Sequence, residues 1–120
     1  ILFQTHRPDH VVAVVGDGGL RFSLQELGTM VKEQLPLVIV LFDDCAYGVI
    51  GDFQKVRHGS ATTAVQLEHI DWAYLATAYN IGYQWVSAPD KLEAALKKAI
   101  AVGQPTIIHY PVKLKKPEGM

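Results

Sequence analysis

The sequence contains a single cysteine among its 120 residues, so no internal disulfide framework can hold the fold. A chain without disulfides is typical of a reducing compartment, and we expect a cytoplasmic protein. Basic residues are not in excess either, since the chain has 11 Lys and Arg and 12 Asp and Glu. The composition therefore gives no indication of a nucleic-acid-binding surface. The longest apolar runs, residues 11–15 and 35–42, are far shorter than the roughly 20 residues that cross a bilayer, and no signal peptide is recognisable.

The remaining composition is that of a single globular domain. Hydrophobic residues account for 49% of the chain and charged residues for 19%, close to the averages of folded domains, which excludes disorder and low-complexity sequence. No internal repeat is visible. We expect one domain over residues 1–112, followed by a frayed tail over residues 113–120.

The first half of the chain has the pattern of a βαβ unit. Residues 11–15 form a β-branched run that stops at a glycine, and residues 37–42 form a second apolar run. Both runs are typical of strands that are buried on two faces. Between them, Ser23 followed three residues later by Glu26 predicts the start of a helix, and Pro36 predicts its end.

The second half continues this alternation after an irregular segment. Residues 51–69 show no periodicity, and we expect a long loop there that serves as a lid or a partner contact. Asp71 is expected to cap a helix, and a short strand is expected near residues 83–86. A last helix is predicted to begin near Pro89 and a last strand to cover residues 106–110. The predicted fold is therefore α/β, with a mostly parallel sheet and helices on both faces.

Two acidic loops follow the two predicted strands of the βαβ unit. Asp17 lies between glycines after the first strand, and Asp43 and Asp44 follow the second. Since consecutive parallel strands are usually neighbours, we expect Asp17 to lie close to Asp43 or Asp44. Grouped carboxylates suit Mg²⁺ or Ca²⁺, and open backbone amides at the start of a helix favour phosphate. A lone Gly-Asp-Gly is mostly a turn, so only the combination of both loops indicates a cation that holds a phosphorylated ligand.

The stretch from residue 14 to residue 48 carries a family resemblance. It reads VVGDGGLRFSLQELGTMVKEQLPLVIVLFDDCAYG. It resembles the diphosphate-binding motif of thiamine diphosphate-dependent enzymes, which begins Gly-Asp-Gly and ends in a strand followed by Asn-Asn. The similarity is greatest to acetolactate synthases, pyruvate oxidases and 2-oxo acid decarboxylases. It continues through residues 71–76, 87–92 and 103–108, so it extends over nearly the whole chain.

The resemblance implies roles for individual residues. Mg²⁺ would be held by the side chains of Asp17 and Asp44 and by the backbone carbonyl of Ala46. The residues that the resemblance places along thiamine diphosphate are Gly16, Gly18, Gly19, Tyr47, Gly48 and Val49. The residues that it turns toward the substrate are Ile50 and Phe53. Ile50 stands where some decarboxylases of this branch have a catalytic acid, and an apolar residue there favours a carboligase or lyase.

The implied activity is that of a decarboxylase or carboligase that acts on a 2-oxo acid such as pyruvate. In this family a glutamate that activates the cofactor comes from a pyrimidine-binding domain of the same or a neighbouring subunit, and no residue of this chain matches it. We therefore expect a homo-oligomer, an N-terminally incomplete diphosphate-binding fold, and no activity of the chain by itself. Neither nucleic acid nor a membrane is an expected partner.

One departure from the motif leaves an alternative open. The Asn-Asn pair of the family is replaced by Asp43-Asp44 in this chain. The alternative hypothesis is a cofactor-poor structural or regulatory domain of the same fold, in which this change has removed metal binding. A generic nucleotide-binding module is disfavoured because no G-x-G-x-x-G or Walker pattern follows the first strand.

Other reactive side chains are assigned no function. Cys45 lies among acidic neighbours that raise the pKa of a thiol, so we expect a passive loop residue. His58 and His69 are expected to face solvent in the irregular segment, and His109 is expected to be a packed histidine of the last strand.

Overall fold

The computed structural model describes residues 10–60 and 63–113. These residues form a four-stranded sheet in which all paired strands are parallel, as the sequence predicts. In chain order the strands are β1 (Val11–Gly16), β2 (Leu37–Asp43), β3 (Gly82–Trp85) and β4 (Thr106–Pro111), and their order in the sheet is β1-β2-β4-β3. The first residues of the predicted domain and nearly all of the predicted tail lie outside the described residues.

Within the described ranges, five α-helices connect and cover the strands. They are α1 (Asp17–Arg21), α2 (Glu26–Lys32), α3 (Gly48–His58), α4 (Trp72–Tyr79) and α5 (Leu92–Val102). A 3₁₀ turn at Pro89–Lys91 leads into α5, near the predicted helix start. No helix in the described part of the chain is long and apolar enough to cross a membrane.

The core consists of two layers, one on each face of the sheet. Alternate residues of β2 point to opposite faces, with Ile39 in one layer and Val40 in the other. The first layer is completed by side chains of α1, α2 and α4, which are Leu20, Leu27, Met30, Trp72 and Ala76. The second layer is completed by Val86 and by Ala99 of α5. Helices therefore lie on both faces of the sheet, which confirms the predicted fold class.

The chain after β1 differs from the prediction. Helix α1 begins at Asp17, directly after the strand, so the predicted glycine loop is the first turn of a short helix. Ser23 does not cap a helix, because its amide donates to the carbonyl of Leu20 at 2.9 Å and α2 begins only at Glu26. The predicted helix start at Ser23 was therefore wrong. The residue lies in a hydrogen-bonded turn between two helices, and α2 has no side-chain cap.

The prediction of a long loop over residues 51–69 was also wrong in its first part. Helix α3 covers Gly48–His58 and ends at Gly59, whose φ of 76° is left-handed. Val49, Phe53 and Val56 form a stripe at helical spacing, but their exposed fractions are 66%, 63% and 72%. We call these three residues the α3 stripe. The pattern was missed because an apolar stripe predicts a helix most clearly when it belongs to a core, and this stripe lies on the surface of the described chain.

The ends of the later helices follow the sequence. Asp71 accepts hydrogen bonds from the amides of Ala73 and Tyr74 at 3.1 and 3.0 Å, and it thereby caps α4. Helix α5 ends at Gly103, whose φ of 67° is left-handed and favours glycine. The predicted cap at Asp71 is confirmed.

Candidate functional site

The carboxyl ends of β1 and β2 lie side by side at one end of the sheet. The register pairs Gly16 with Phe42, so Asp17 and Asp43 leave neighbouring strands at the same level. A cavity of about 240 Å³ opens at this place. Its lining residues are Gly16, Asp17, Gly18, Gly19, Phe42, Asp44, Ala46, Tyr47, Gly48, Val49 and Ile50.

This cavity brings together the residues that the sequence predicts for cofactor and metal. All of the predicted cofactor and metal residues line it, and so does Ile50. Phe53 is not among the lining residues, and its ring is exposed on α3. Phe42 lines the cavity and was missed by sequence reasoning, because its position at the end of an apolar strand is typical of a core residue.

Asp17 places an unpartnered carboxylate oxygen at the cavity. The residue is only 1% exposed, since it begins α1 directly below the end of the strand. Within the described residues its Oδ2 atom has no hydrogen-bond partner. The nearest cation is Arg21, whose Nε atom lies 4.0 Å from Oδ2 and also has no partner there. A buried carboxylate oxygen of this kind costs free energy unless another group completes its coordination.

The surroundings of Asp17 raise the pKa of its carboxyl above the ordinary value of 3.8. Burial is the largest cause, and the negative charges of Asp43 and Asp44 add to it. Backbone hydrogen bonds from Gly18 and Asp44 act in the opposite direction without cancelling the shift. The electrostatic potential at the site is therefore negative, and a cation bound there would lower the free-energy cost of keeping Asp17 ionised.

Tyr47 closes one side of the cavity and requires a glycine opposite. A Cβ atom on Gly18 would lie 2.6 Å from Cε1 of the Tyr47 ring, which is closer than real contacts allow. A Cβ atom on Gly19 would meet nothing within 4 Å, so this backbone borders open space. The amide of Tyr47 donates to the carbonyl of Val65 at 2.8 Å, and this hydrogen bond joins the Tyr47 backbone to the segment that follows α3. Gly18 is therefore required by the packing of the Tyr47 ring, whereas Gly19 leaves backbone open beside the cavity.

Asp43 does not line the cavity, although it ends β2 at the level at which Asp17 follows β1. Its carboxylate is bonded on both oxygens. Oδ2 accepts the indole N–H of Trp72 at 2.8 Å and lies 3.0 Å from Nε2 of His109. Oδ1 accepts the amide of Cys45 at 3.1 Å and its thiol at 3.3 Å. Of the two candidates in the second acidic loop, Asp44 is the one whose side chain borders the cavity with Asp17.

The network around Asp43 lowers the pKa of its carboxyl below 3.8. Burial, the largest single influence, acts to raise it. The hydrogen bonds from Trp72 and Cys45, together with His109, outweigh burial and stabilise the ionised form. His109 is further bonded through Nδ1 to the hydroxyl of Tyr83 at 2.8 Å, which confirms the expectation of a packed histidine. Burial and the nearby carboxylates raise the pKa of the Tyr83 hydroxyl.

Cys45 lies between the cavity and the hydrogen-bond network around Asp43. Burial, with the hydrogen bond and the charge of Asp43, raises the pKa of the Cys45 thiol, in the direction that the sequence predicts. The residue has a left-handed φ of 52°, which directs its thiol toward Asp43 while its neighbours Asp44 and Ala46 border the cavity. His69 is exposed, as expected, and its ring lies close to this thiol and carboxylate.

Comparison with known proteins gives the same relatives in sequence and in structure. The chain is 35% identical over 113 residues to the acetolactate synthase isozyme 2 large subunit of Escherichia coli, which covers 91% of the chain and 20% of that relative. It is 31% identical over 108 residues to a probable acetolactate synthase large subunit of Methanococcus aeolicus, over 88% of the chain and 18% of that relative. The chain thus spans about a fifth of the length of these relatives.

A solved structure of the same group matches the fold. The benzoylformate decarboxylase of Polynucleobacter necessarius superposes with a TM-score of 0.80 and 25% sequence identity, over 89% of this chain and 20% of that one. The family model described as "Thiamine pyrophosphate enzyme, C-terminal TPP binding domain" matches residues 2–110, nearly the whole chain. The chain therefore belongs to the thiamine pyrophosphate enzyme family and corresponds to its C-terminal cofactor-binding domain.

Proposed function

We propose that the cavity at the ends of β1 and β2 binds the diphosphate of thiamine diphosphate together with Mg²⁺. The observation that carries this proposal is the Oδ2 atom of Asp17, a buried oxygen of a cavity-lining residue that has no hydrogen-bond partner among the described residues. A carboxylate oxygen in this state is stabilised by a cation. The other donors at the cavity, the Asp44 carboxylate and the Ala46 carbonyl, are hard oxygen ligands of the kind that Mg²⁺ prefers.

The chemistry of the residues around the cavity suits this ligand. Asp17, Asp44 and Ala46 would hold the metal ion. Gly16 and Gly19 leave backbone uncovered beside it, so a diphosphate can approach the main chain there. The amide of Gly18 is hydrogen-bonded to Asp17, which makes the amide of Gly19 the better candidate for a phosphate oxygen.

In the whole protein we propose the activity of a decarboxylase or carboligase that acts on a 2-oxo acid such as pyruvate. When bound, thiamine diphosphate supplies the group that accepts the electron pair released as CO₂ leaves. The residues of this chain bind and orient that cofactor and keep water from it. Ile50, at the cavity wall, offers no proton, so the position favours carbon–carbon bond formation over protonation of the product.

The missing wall of the cavity is proposed to come from a pyrimidine-binding domain of the same or a neighbouring subunit, in a homo-oligomer. The α3 stripe supports this assignment. Its three apolar side chains are more than half exposed, and they continue from Val49, which lines the cavity, along the surface of α3. Apolar side chains grouped in this way mark a surface that another domain covers.

The test is a calorimetric titration of the purified protein with thiamine diphosphate, with and without Mg²⁺. We expect binding that requires Mg²⁺ and that is abolished by Asp17→Ala, because no donor replaces the lost ligand. Asp90→Ala removes an exposed aspartate of the 3₁₀ turn, outside the cavity, and is the matched control that should bind as the parent does. Equal binding by Asp17→Ala and the control would show that the metal site is misassigned.

Asp44→Asn distinguishes the two acidic ligands in the same titration. A carboxylate at position 44 attracts the metal but repels the diphosphate, and two unit charges about 4 Å apart interact by roughly 4 kcal/mol at an effective dielectric of 20. Because asparagine keeps an oxygen donor and removes the repulsion, we expect unchanged or tighter binding. A loss as complete as that of Asp17→Ala would show that the acid at position 44 is required. The alternative, a cofactor-poor structural or regulatory domain, predicts no Mg²⁺-dependent binding by the parent.

A further inference from the structure

A second group of metal-ligating side chains lies beside the cavity but does not line it. It consists of Asp43, Cys45 and His69. One carboxylate oxygen, the thiol sulfur and one imidazole nitrogen of these residues lie within 4.8 Å of one another. The chemistry of this set differs from that of the cavity, since it combines a sulfur and a nitrogen donor with a single oxygen.

The Asp43 carboxylate is already oriented for such a role. Trp72 and His109 both lie against Oδ2, at 2.8 and 3.0 Å, and they fix the plane of the group. Oδ1 faces Cys45. Outer hydrogen bonds that orient a ligand in this way are a regular feature of metal sites, because they remove the cost of ordering the ligand on binding.

The distances suit a small tetrahedral ion. Sγ of Cys45 lies 3.3 Å from Oδ1 of Asp43. With metal–sulfur and metal–oxygen bonds of about 2.3 and 2.1 Å, two tetrahedral ligands of zinc are about 3.5 Å apart. The pair therefore needs only a small displacement. His69 is exposed and has one ring nitrogen within 4.8 Å of the other two ligand atoms, so a change of its side-chain rotamer could close the remaining distance.

We propose that Cys45, His69 and Asp43 form a binding site for a divalent cation of the zinc class, with water in the fourth position. Thiolate and imidazole ligands select Zn²⁺ or Cd²⁺ over Mg²⁺. On binding, the thiol of Cys45 releases its proton to solvent, and a sulfur–metal bond and a metal–oxygen bond replace the hydrogen bond to Asp43. No electron transfer is involved. None of its three side chains lines the proposed cofactor cavity, although Cys45 lies in the chain between two residues that do.

The experiment is a titration of the purified protein with Cd²⁺ in the presence of excess Mg²⁺, followed by the ultraviolet absorbance of cadmium–thiolate bonds. Cys45 is the only cysteine of the sequence, so this band reports on it alone. We expect saturation at one Cd²⁺ per chain, and no band for Cys45→Ser. His69→Gln is expected to lower the affinity at least about tenfold, since the loss of even an outer-shell partner costs that much.

His58→Gln is the matched control, because His58 is an exposed histidine at the end of α3 and belongs to no ligand group among the described residues. It should bind Cd²⁺ as the parent does. The proposal is overturned if the parent shows no saturable band, if His69→Gln binds as tightly as the parent, or if His58→Gln weakens binding as much as His69→Gln. Both histidines are exposed, so neither substitution removes a core contact.

Discussion

Two aspartates lie at the ends of neighbouring strands in this domain, and they share their burial but differ in their hydrogen-bond partners and in their pKa. Asp17 is 1% exposed and Asp43 is 6% exposed. Both oxygens of Asp43 are hydrogen-bonded, whereas Oδ2 of Asp17 has no partner among the described residues. The pKa of Asp43 is lowered and that of Asp17 is raised. Partners, rather than burial, therefore decide whether a buried carboxylate stabilises the fold.

This difference assigns the two residues to separate tasks. Asp43 joins β2 to Trp72 of α4 and to His109 of β4, so it connects three elements of the fold. Asp17 accepts backbone hydrogen bonds from Gly18 and Asp44, but its Oδ2 atom has no hydrogen-bond partner among the described residues and remains available to a ligand. We interpret Asp43 as a structural residue that holds the end of β2 in place and Asp17 as the residue kept for the metal.

The largest effect is expected from Asp43→Asn. Each oxygen of Asp43 accepts a backbone or indole N–H, so an asparagine amide would meet a donor in either orientation. We expect the free energy of unfolding to fall by about 2 kcal/mol, because hydrogen bonds to a charged group are lost and a donor is left unpaired. Asp90→Asn, on the surface, should change it by less than about 0.5 kcal/mol. Urea denaturation of both variants checks the expectation, and equal effects would contradict it.

An intermediate effect is expected from Gly18→Ala. The added methyl group would lie 2.6 and 2.8 Å from two carbons of the Tyr47 ring, so the ring must move. Overpacking costs about 1–3 kcal/mol in general, and because the contact is with a side-chain ring that can shift, we expect about 1.5 kcal/mol here. Gly19→Ala occupies the same helix and meets nothing within 4 Å, so it should be neutral in thermal denaturation. A Gly19→Ala variant as unstable as Gly18→Ala would argue against the contact with Tyr47.

The smallest effect is expected from Asp17→Asn in the metal-free protein, and it is a gain in stability where the other two substitutions cause a loss. Removing a buried ionised carboxylate whose Oδ2 atom lacks a hydrogen-bond partner among the described residues should raise the free energy of unfolding by about 1 kcal/mol near neutral pH. Because the folded-state pKa of Asp17 is raised, the parent loses stability as the pH rises through that pKa, and the advantage of the variant should vanish below it.

Asp43→Asn should behave in the opposite way in the same pH series. The pKa of Asp43 is lowered, so its contribution is present above the unfolded value of 3.8 and is lost only as the pH falls through the lower, folded value. The deficit of the variant should therefore persist at mildly acidic pH, where the advantage of Asp17→Asn has gone. Parallel pH dependences of the two variants would show that the two environments do not differ as described.

The sequence predicted the parts of the fold that depend on local or strongly patterned signals. The apolar run of β2 and the cap at Asp71 are of this kind. Helix α1 was missed because a segment of five residues that contains two glycines has little helical propensity, and only its position after β1 reveals it. Helix α3 was missed because its apolar stripe is exposed.

In the site, too, only the features with a local sequence signal could be predicted. The cavity residues were predicted through the family motif, since that motif lies within one continuous βαβ unit. The partners of Asp43 were not, because Trp72 and His109 are 29 and 66 residues away along the chain and no local pattern connects them to it. The residues alone left Asp43 and Asp44 as equal candidates and the family resemblance assigned the metal to Asp44, but neither revealed the hydrogen bonds that hold Asp43.

The central claim is that Asp17 is kept for the Mg²⁺ of the cofactor cavity, whereas the hydrogen bonds of Asp43 hold the fold together. The most direct test is the unfolding of the parent, Asp17→Asn and Asp43→Asn proteins with and without Mg²⁺ and thiamine diphosphate. A ligand at a hundred times its Kd adds about 2.7 kcal/mol to the stability of a protein that binds it. The account predicts this gain for the parent and for Asp43→Asn, which starts lower, and a much smaller gain for Asp17→Asn, which starts higher, because its neutral amide attracts the metal less than the buried carboxylate does. A full gain in Asp17→Asn, or none in a folded Asp43→Asn, would contradict it.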